Sequence, residues 1–181
     1  MSWAPFLLDP SIPPEGRTRE PRTRPGDPPT HLEERGERAG IAFPRGRTFT
    51  PNSHLSLETA EYAQEHGHDG DGLHRALFAT HFEEQGNLGD LETLLRIGAE
   101  QGLDRDDLHE ALETGRYRQQ VDDRMDWARA IGITGVPTFI FNERHGVVGA
   151  QEYEVFEQVM QQLGVPRRNG AEGDAASGND A

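Results

Sequence analysis

The sequence predicts a mixed α/β chain in which a long helical block separates a short N-terminal strand from a C-terminal hairpin and helix. Three observations predict it. Residues 52–131 repeat apolar side chains at helical spacing and contain no proline. Residues 136–141, Val-Pro-Thr-Phe-Ile-Phe, then switch to a β-rich apolar run. Residues 9–29 hold seven of the twelve prolines, which argues for an extended loop there rather than a helix or a ladder.

The elements follow in order. Residues 2–8 form a short apolar, aromatic run that ends at Asp9-Pro10 and reads as a strand, with Pro5 suited to an edge. The loop after it carries Arg17, Arg19, Arg22 and Arg24, which read either as a solvated cluster or as a contact for an acidic partner. Thr30 and Glu33 have capping-box spacing and open a helix to about Ala39, weakened by Gly36 and stopped by Gly40. Residues 41–51 are extended. Asn52 or Ser53 caps a helix to about Glu65. Leu73, Leu77, Phe78 and Phe82 are expected to line one face of the next. Asp90 opens a helix with Leu91, Leu94 and Leu95 inward. Asp104 opens another, with Leu108, Ala111 and Leu112, closed by Gly115. Tyr117, Val121, Met125 and Ala128 stripe a fifth. Asn142 to Gly146 is turn chemistry between strands at 136–141 and 147–149. A last helix, Glu152 to Leu163, directs Val155, Phe156, Val159, Met160 and Leu163 to a core. The organisation is therefore 1–51 for the strand and Pro/Arg-rich loop, 52–131 for the helical insertion, 132–165 for the hairpin and helix, and 166–181 for a disordered tail.

Composition narrows the function. The 181 residues hold 32 Asp and Glu against 18 Arg and no Lys, a formal charge of −14, which repels phosphate backbones and argues against nucleic-acid partners. The same composition fits either adaptation to high salt or a genome that favours Arg codons. No apolar run reaches the ~20 residues of a membrane span, and no secretory signal is visible, so a cytoplasmic protein without membrane contact is expected. Zero cysteine excludes disulfides, thiolate catalysis and Cys-ligated metals within these residues.

Other chemistry is thin. His66-Gly67-His68-Asp69 could supply one vertex of a metal site, and His74 and His81 share a helix face with Glu84 one turn on, but four ligands at a recognised zinc spacing do not assemble. Asp69-Gly70-Asp71-Gly72 resembles the start of a calcium loop, yet its twelfth position is Thr80 rather than Glu. Trp3 and Trp127 could flank a ligand, although aromatics so placed more often fill a core. The adjacent acids Glu83-Glu84 and Asp122-Asp123 diverge around their helices and read as solvated faces. No catalytic residue and no metal ligand is assigned.

Gly135-Val136-Pro137-Thr138-Phe139-Ile140-Phe141 resembles the second half of a thioredoxin fold, in which a cis-proline precedes the third strand. Together with the helical insertion, His81-Phe82-Glu83-Glu84, Leu88-Gly89-Asp90, Ala99-Glu100-Gln101-Gly102-Leu103 and Val148-Gly149-Ala150-Gln151, it resembles the DsbA-like family and its FrnE-like branch. That branch is related to 2-hydroxychromene-2-carboxylate isomerases and kappa-class glutathione transferases. Trp3-Ala4-Pro5-Phe6-Leu7-Leu8-Asp9-Pro10 resembles the family's second strand and its exit. The resemblance implies an α/β, thioredoxin-like fold with a large all-helical insertion. The family's first strand, its Cys-x-x-Cys loop and the helix after it have no counterpart here, so a longer gene product, or an inactive one, is expected. The implied activity is thiol–disulfide oxidoreduction or isomerisation on protein or peptide thiols and disulfides. The implied docking element is the cis-Pro loop Val136, Pro137 and Thr138, with Trp3 as a candidate groove aromatic. Two alternatives remain. One is a non-catalytic peptide-binding protein using the same groove. The other is a glutathione-dependent isomerase or transferase, the only reading in which a cofactor, glutathione, enters. Assembly as a homo-oligomer is compatible with each.

Overall fold

The structure is a computed structural model that describes residues 3–68 and 71–166. Ser2, Asp69, Gly70 and the tail from residue 167 lie outside the described residues, and with them parts of the metal-like and calcium-like motifs. The chain forms two units, Met1–Thr134 and Gly135–Ala181.

In the first unit, a two-residue ladder joins β1 (Arg17–Thr18) to β2 (Phe49–Thr50), with Arg17 opposite Thr50 and Thr18 opposite Phe49. The proline-rich stretch expected to be loop throughout therefore contains a strand. Gly16, with φ +82°, makes this possible: a Cβ there would lie 2.2 Å from the Phe49 ring, so only glycine lets the chain close on β2. The segment expected to be a strand at 2–8 pairs with nothing among the described residues. Pro5 and Leu7 are buried and Leu8 is exposed, so the segment is held by side-chain packing rather than by a ladder. Leu7 packs with Val121, Met125 and Leu57.

Between β1 and β2 lies α1 (His31–Arg38), opened by the expected capping box: Glu33 N donates to Thr30 Oγ1 at 3.2 Å and Thr30 N to Glu33 Oε2 at 2.6 Å. Arg45 Nε donates to Glu33 Oε1 at 2.7 Å, tying the helix to the following loop. That guanidinium, with the amide of Thr30, holds the Glu33 carboxyl down at about 2.

The helical core comprises α2 (His54–Glu65), α3 (Asp71–Phe82), α4 (Leu91–Glu100), α5 (Arg105–Thr114) and α6 (Arg118–Ala130). Asp90 caps α4 by accepting from Thr93 N, and Asp104 caps α5 by accepting from the amides of Asp106 and Asp107. Gly115, left-handed at φ 65°, ends α5. The predicted stripes pack: Leu94, Leu95, Leu108, Ala111 and Leu112 share one cluster with Tyr62, Leu73, Leu77 and Tyr117. On α3 the prediction fails in part. Leu73, Leu77 and Thr80 face inward, whereas Phe78 and Phe82 are exposed. Phe78 follows Leu77 by one residue, which turns it ~100° away from the buried face. Trp127 is likewise half exposed rather than core.

Helix α2 also buries acids. Glu58 is fully buried and Glu61 nearly so. His54 spans Glu58 Oε1 (2.9 Å) and Asp122 Oδ1 (3.1 Å), while Glu61 meets Arg124 at 3.0 Å, so carboxylates of α2 are stitched to α6. Burial pushes the Glu58 carboxyl up, against the pull of His54 and Arg118.

In the second unit, β3 (Thr138–Phe141) and β4 (His145–Val148) form the expected antiparallel hairpin, from Thr138 opposite Val148 to Phe141 opposite His145. Asn142 and Glu143, both at positive φ, make the turn. Helix α7 (Tyr153–Gln162) packs Phe156 edge-on to Phe139, ring centroids 4.9 Å apart. Its apolar face was expected to enter a core, but Val155, Phe156, Val159, Met160 and Leu163 are only half-buried. A two-stranded hairpin offers less surface than a full sheet would.

Two outcomes follow. Gly36→Ala gains about 1 kcal/mol of helix propensity, but its Cβ would lie 2.4 Å from the Phe43 ring and 2.8 Å from the Ile41 carbonyl oxygen. Overpacking of this kind costs roughly 1–3 kcal/mol, so thermal melting should show a lower Tm; a raised Tm would mean that the 41–43 loop yields. For Glu33, a folded-state carboxyl at about 2 lies below its ordinary value of 4.5, so its stabilisation is present above that range and is lost as pH falls toward 2. The Tm gap between the wild type and Glu33→Gln should be widest at pH 6 and should close by pH 2.

Candidate functional site

Residues 136–138 form a short exposed edge leading into β3. The Val136–Pro137 peptide is cis. Pro137 O accepts from Gly149 N at 2.7 Å, which extends the hairpin's hydrogen bonding by one rung, and Thr138 Oγ1 donates to Gly135 O at 2.7 Å, which pins the approach to the strand. Val136 lies one step beyond this rung. Its side chain is 51% exposed, and neither its N–H nor its C=O has a partner among the described residues. The hairpin's two faces differ. Val147, opposite Phe139, is buried, while Ile140 and Val148 on the other face are exposed. An extended chain laid along this edge would find a free donor, a free acceptor and apolar surface, the requirements of strand addition.

Trp3 belongs to the first unit. It stacks on His74 with centroids 4.7 Å apart and is 39% exposed. From His74 a row of rings continues along α3 through Phe78 to Phe82, which meets Phe43 edge-on. The sequence singles out Trp3 alone; the row becomes visible once α3 turns its phenylalanines outward.

At the end of that row stands a cluster the sequence does not reveal. The Nη1 and Nη2 atoms of Arg47 lie 3.0 and 3.1 Å from the ring nitrogens of His81. Burial, and then the Arg47 charge, push the His81 imidazole down to about 4, so it is neutral at pH 7. Burial and the nearby Arg19 charge also lower the Arg47 guanidinium. These groups come from the segment after β1, the segment before β2 and helix α3, so no sequence spacing links them. His74 and His81 stand about two turns apart along α3, and among the described residues no three His, Asp or Glu side chains converge as metal ligands. No helix among the described residues is long and apolar enough to cross a membrane.

The comparisons agree with this architecture. The family model for the DSBA-like thioredoxin domain matches residues 1–161. An uncharacterized protein of Bacillus subtilis, YwbO, is 30% identical over 166 residues, covering 88% of this chain and 80% of that protein. The crystal structure of a probable DsbA oxidoreductase from Streptomyces coelicolor superposes with a TM-score of 0.66 at 28% identity, covering 82% of this chain; the chain spans 64% of the length of that protein. The fold is accordingly a mixed α/β, thioredoxin-like one, and the chain belongs to the DsbA-like thioredoxin domain family.

Proposed function

We propose that this protein serves thiol–disulfide exchange as a FrnE-like, cytoplasmic member of its family, and that its own contribution is to dock an extended peptide at Val136, Pro137 and Thr138. The observation that carries the reading is the unpartnered backbone of Val136 at an exposed strand edge. Docking by main-chain hydrogen bonds holds a peptide whatever its side chains, which suits a substrate class defined only by its cysteines. Exchange itself needs a thiolate attacking a disulfide sulfur. The 181 residues contain no cysteine, so the thiols and disulfide that react lie outside these residues.

The test uses the S-carbamidomethylated insulin B chain, an unfolded, thiol-free peptide, labelled for fluorescence anisotropy. Saturable binding is expected. Val136→Asp should weaken it about tenfold, the loss of one apolar contact of ~1.5 kcal/mol, with an unchanged circular dichroism spectrum. Absence of saturable binding by the wild type would refute docking, and equal affinity of the variant would place the peptide away from the Val136 side chain. In the insulin reduction assay, the chain should add no turbidity rate above the dithiothreitol blank; clear turnover would contradict the division of labour proposed here.

A further inference from the structure

We propose that Arg19 and Arg47, with the imidazole of His81, form an oxyanion-binding site that takes a carboxylate or phosphate group. The first support is the allocation of charge. Four arginines are partly buried among the described residues: Arg19, Arg45, Arg47 and Arg124. Arg45 has Glu33 and Arg124 has Glu61. Arg19 and Arg47 have no carboxylate within ion-pair distance among the described residues, although the chain holds 32 acids, and these two are neighbours. Arg19 N donates to Thr48 O at 2.8 Å, which brings its residue beside Arg47 at the end of the β1–β2 ladder. Two cations withdrawn from water side by side repel each other and lose hydration, a cost that an anion between them removes.

The second support is the count of donors. Arg19 Nε donates to Thr50 Oγ1 at 3.0 Å and Nη1 to the Glu20 carbonyl at 3.3 Å, which fix its guanidinium while leaving Nη2 free. Arg47 offers five N–H groups. A neutral imidazole has one bare nitrogen, so His81 accepts one of them at most. Arg47 Nε is buried with no acceptor at all. The site is thus rich in fixed, unpaired N–H donors of positive charge and poor in acceptors. A planar or tetrahedral oxyanion supplies what is lacking, two or more acceptor oxygens with negative charge. His81, uncharged, orients Arg47 without adding a third cation.

The test is a titration of the full chain with sodium phosphate and, separately, sodium acetate, at ionic strength held constant with sodium chloride. It is followed through the arginine Nε–H signals in nitrogen-15 spectra, with the Arg47 signal assigned by its loss in Arg47→Gln. The proposal expects saturable shifts of the Arg47 and Arg19 signals with at least one of the two anions, and the tighter of them identifies the ligand class. Either Arg47→Gln or Arg19→Gln should weaken binding about tenfold or more, whereas Arg96→Gln, at the exposed pair with Glu100, should leave it unchanged. Arg19→Gln keeps the test decisive should Arg47→Gln fail to fold. Shifts no larger than those chloride gives, or equal binding by Arg19→Gln, would overturn the site.

Discussion

Burial of helix α2 is the constraint on which the rest of the first unit depends. Tyr62, Ala63, Thr59 and Glu58 are almost without solvent contact, and α3, α4, α5 and α6 all pack on this helix. A helix of twelve residues is marginal alone. It persists here because its neighbours cover it, and they persist because they share its cluster. The acids on its buried side would otherwise be a large penalty. His54 and Arg124 convert that penalty into links to α6, since a buried carboxylate must find its partner in one arrangement only. Leu7 packs with Val121 and Met125 of α6 and with Leu57 of α2, so even the N-terminal segment is positioned through this packing.

Helices with strong local signals were legible in the sequence. Thr30 and Glu33, Asp90, Asp104 and Gly115 act within a turn of where they stand, so their meaning survives without tertiary context. The hairpin was legible for the same reason, because a change from helical to alternating period brackets a turn at Asn142 and Glu143. What escaped were features decided by partners distant in sequence. The β1–β2 ladder depends on Phe49 closing over Gly16, which proline counting in residues 9–29 cannot reveal. Residues 2–8 read as a strand from an apolar, aromatic run, but pairing needs a neighbour, and composition does not supply one. Phe78 and Phe82 count as core by composition and lie outside it by angle. Val136-Pro137-Thr138 was readable as a proposed docking edge only through the family resemblance; the unpaired amide and carbonyl of Val136 are tertiary facts.

Charge shows the same division between surface and purpose. The sequence carries a formal charge of −14, and charge of that sign repels phosphate backbones. Most arginines with partners act as local struts, and exposed pairs such as Arg96 with Glu100 contribute little to stability. Arg45 is different, because it anchors a capped helix to its loop through Glu33. Arg19 and Arg47 differ again, since nothing among the described residues neutralises them. The edge at Val136 offers backbone groups and the paired arginines offer fixed charge, two different chemistries.

The backbone at Val136 is proposed to stand open for a partner strand. Native-state hydrogen exchange reads this directly, residue by residue, on the full chain with and without saturating S-carbamidomethylated insulin B chain. Alone, the Val136 amide should exchange rapidly while amides within α2 stay protected. With the peptide present, Val136 should gain protection and α2 should not change. A Val136 amide already slow in the free chain, or one unaltered while the peptide is bound, would contradict the account.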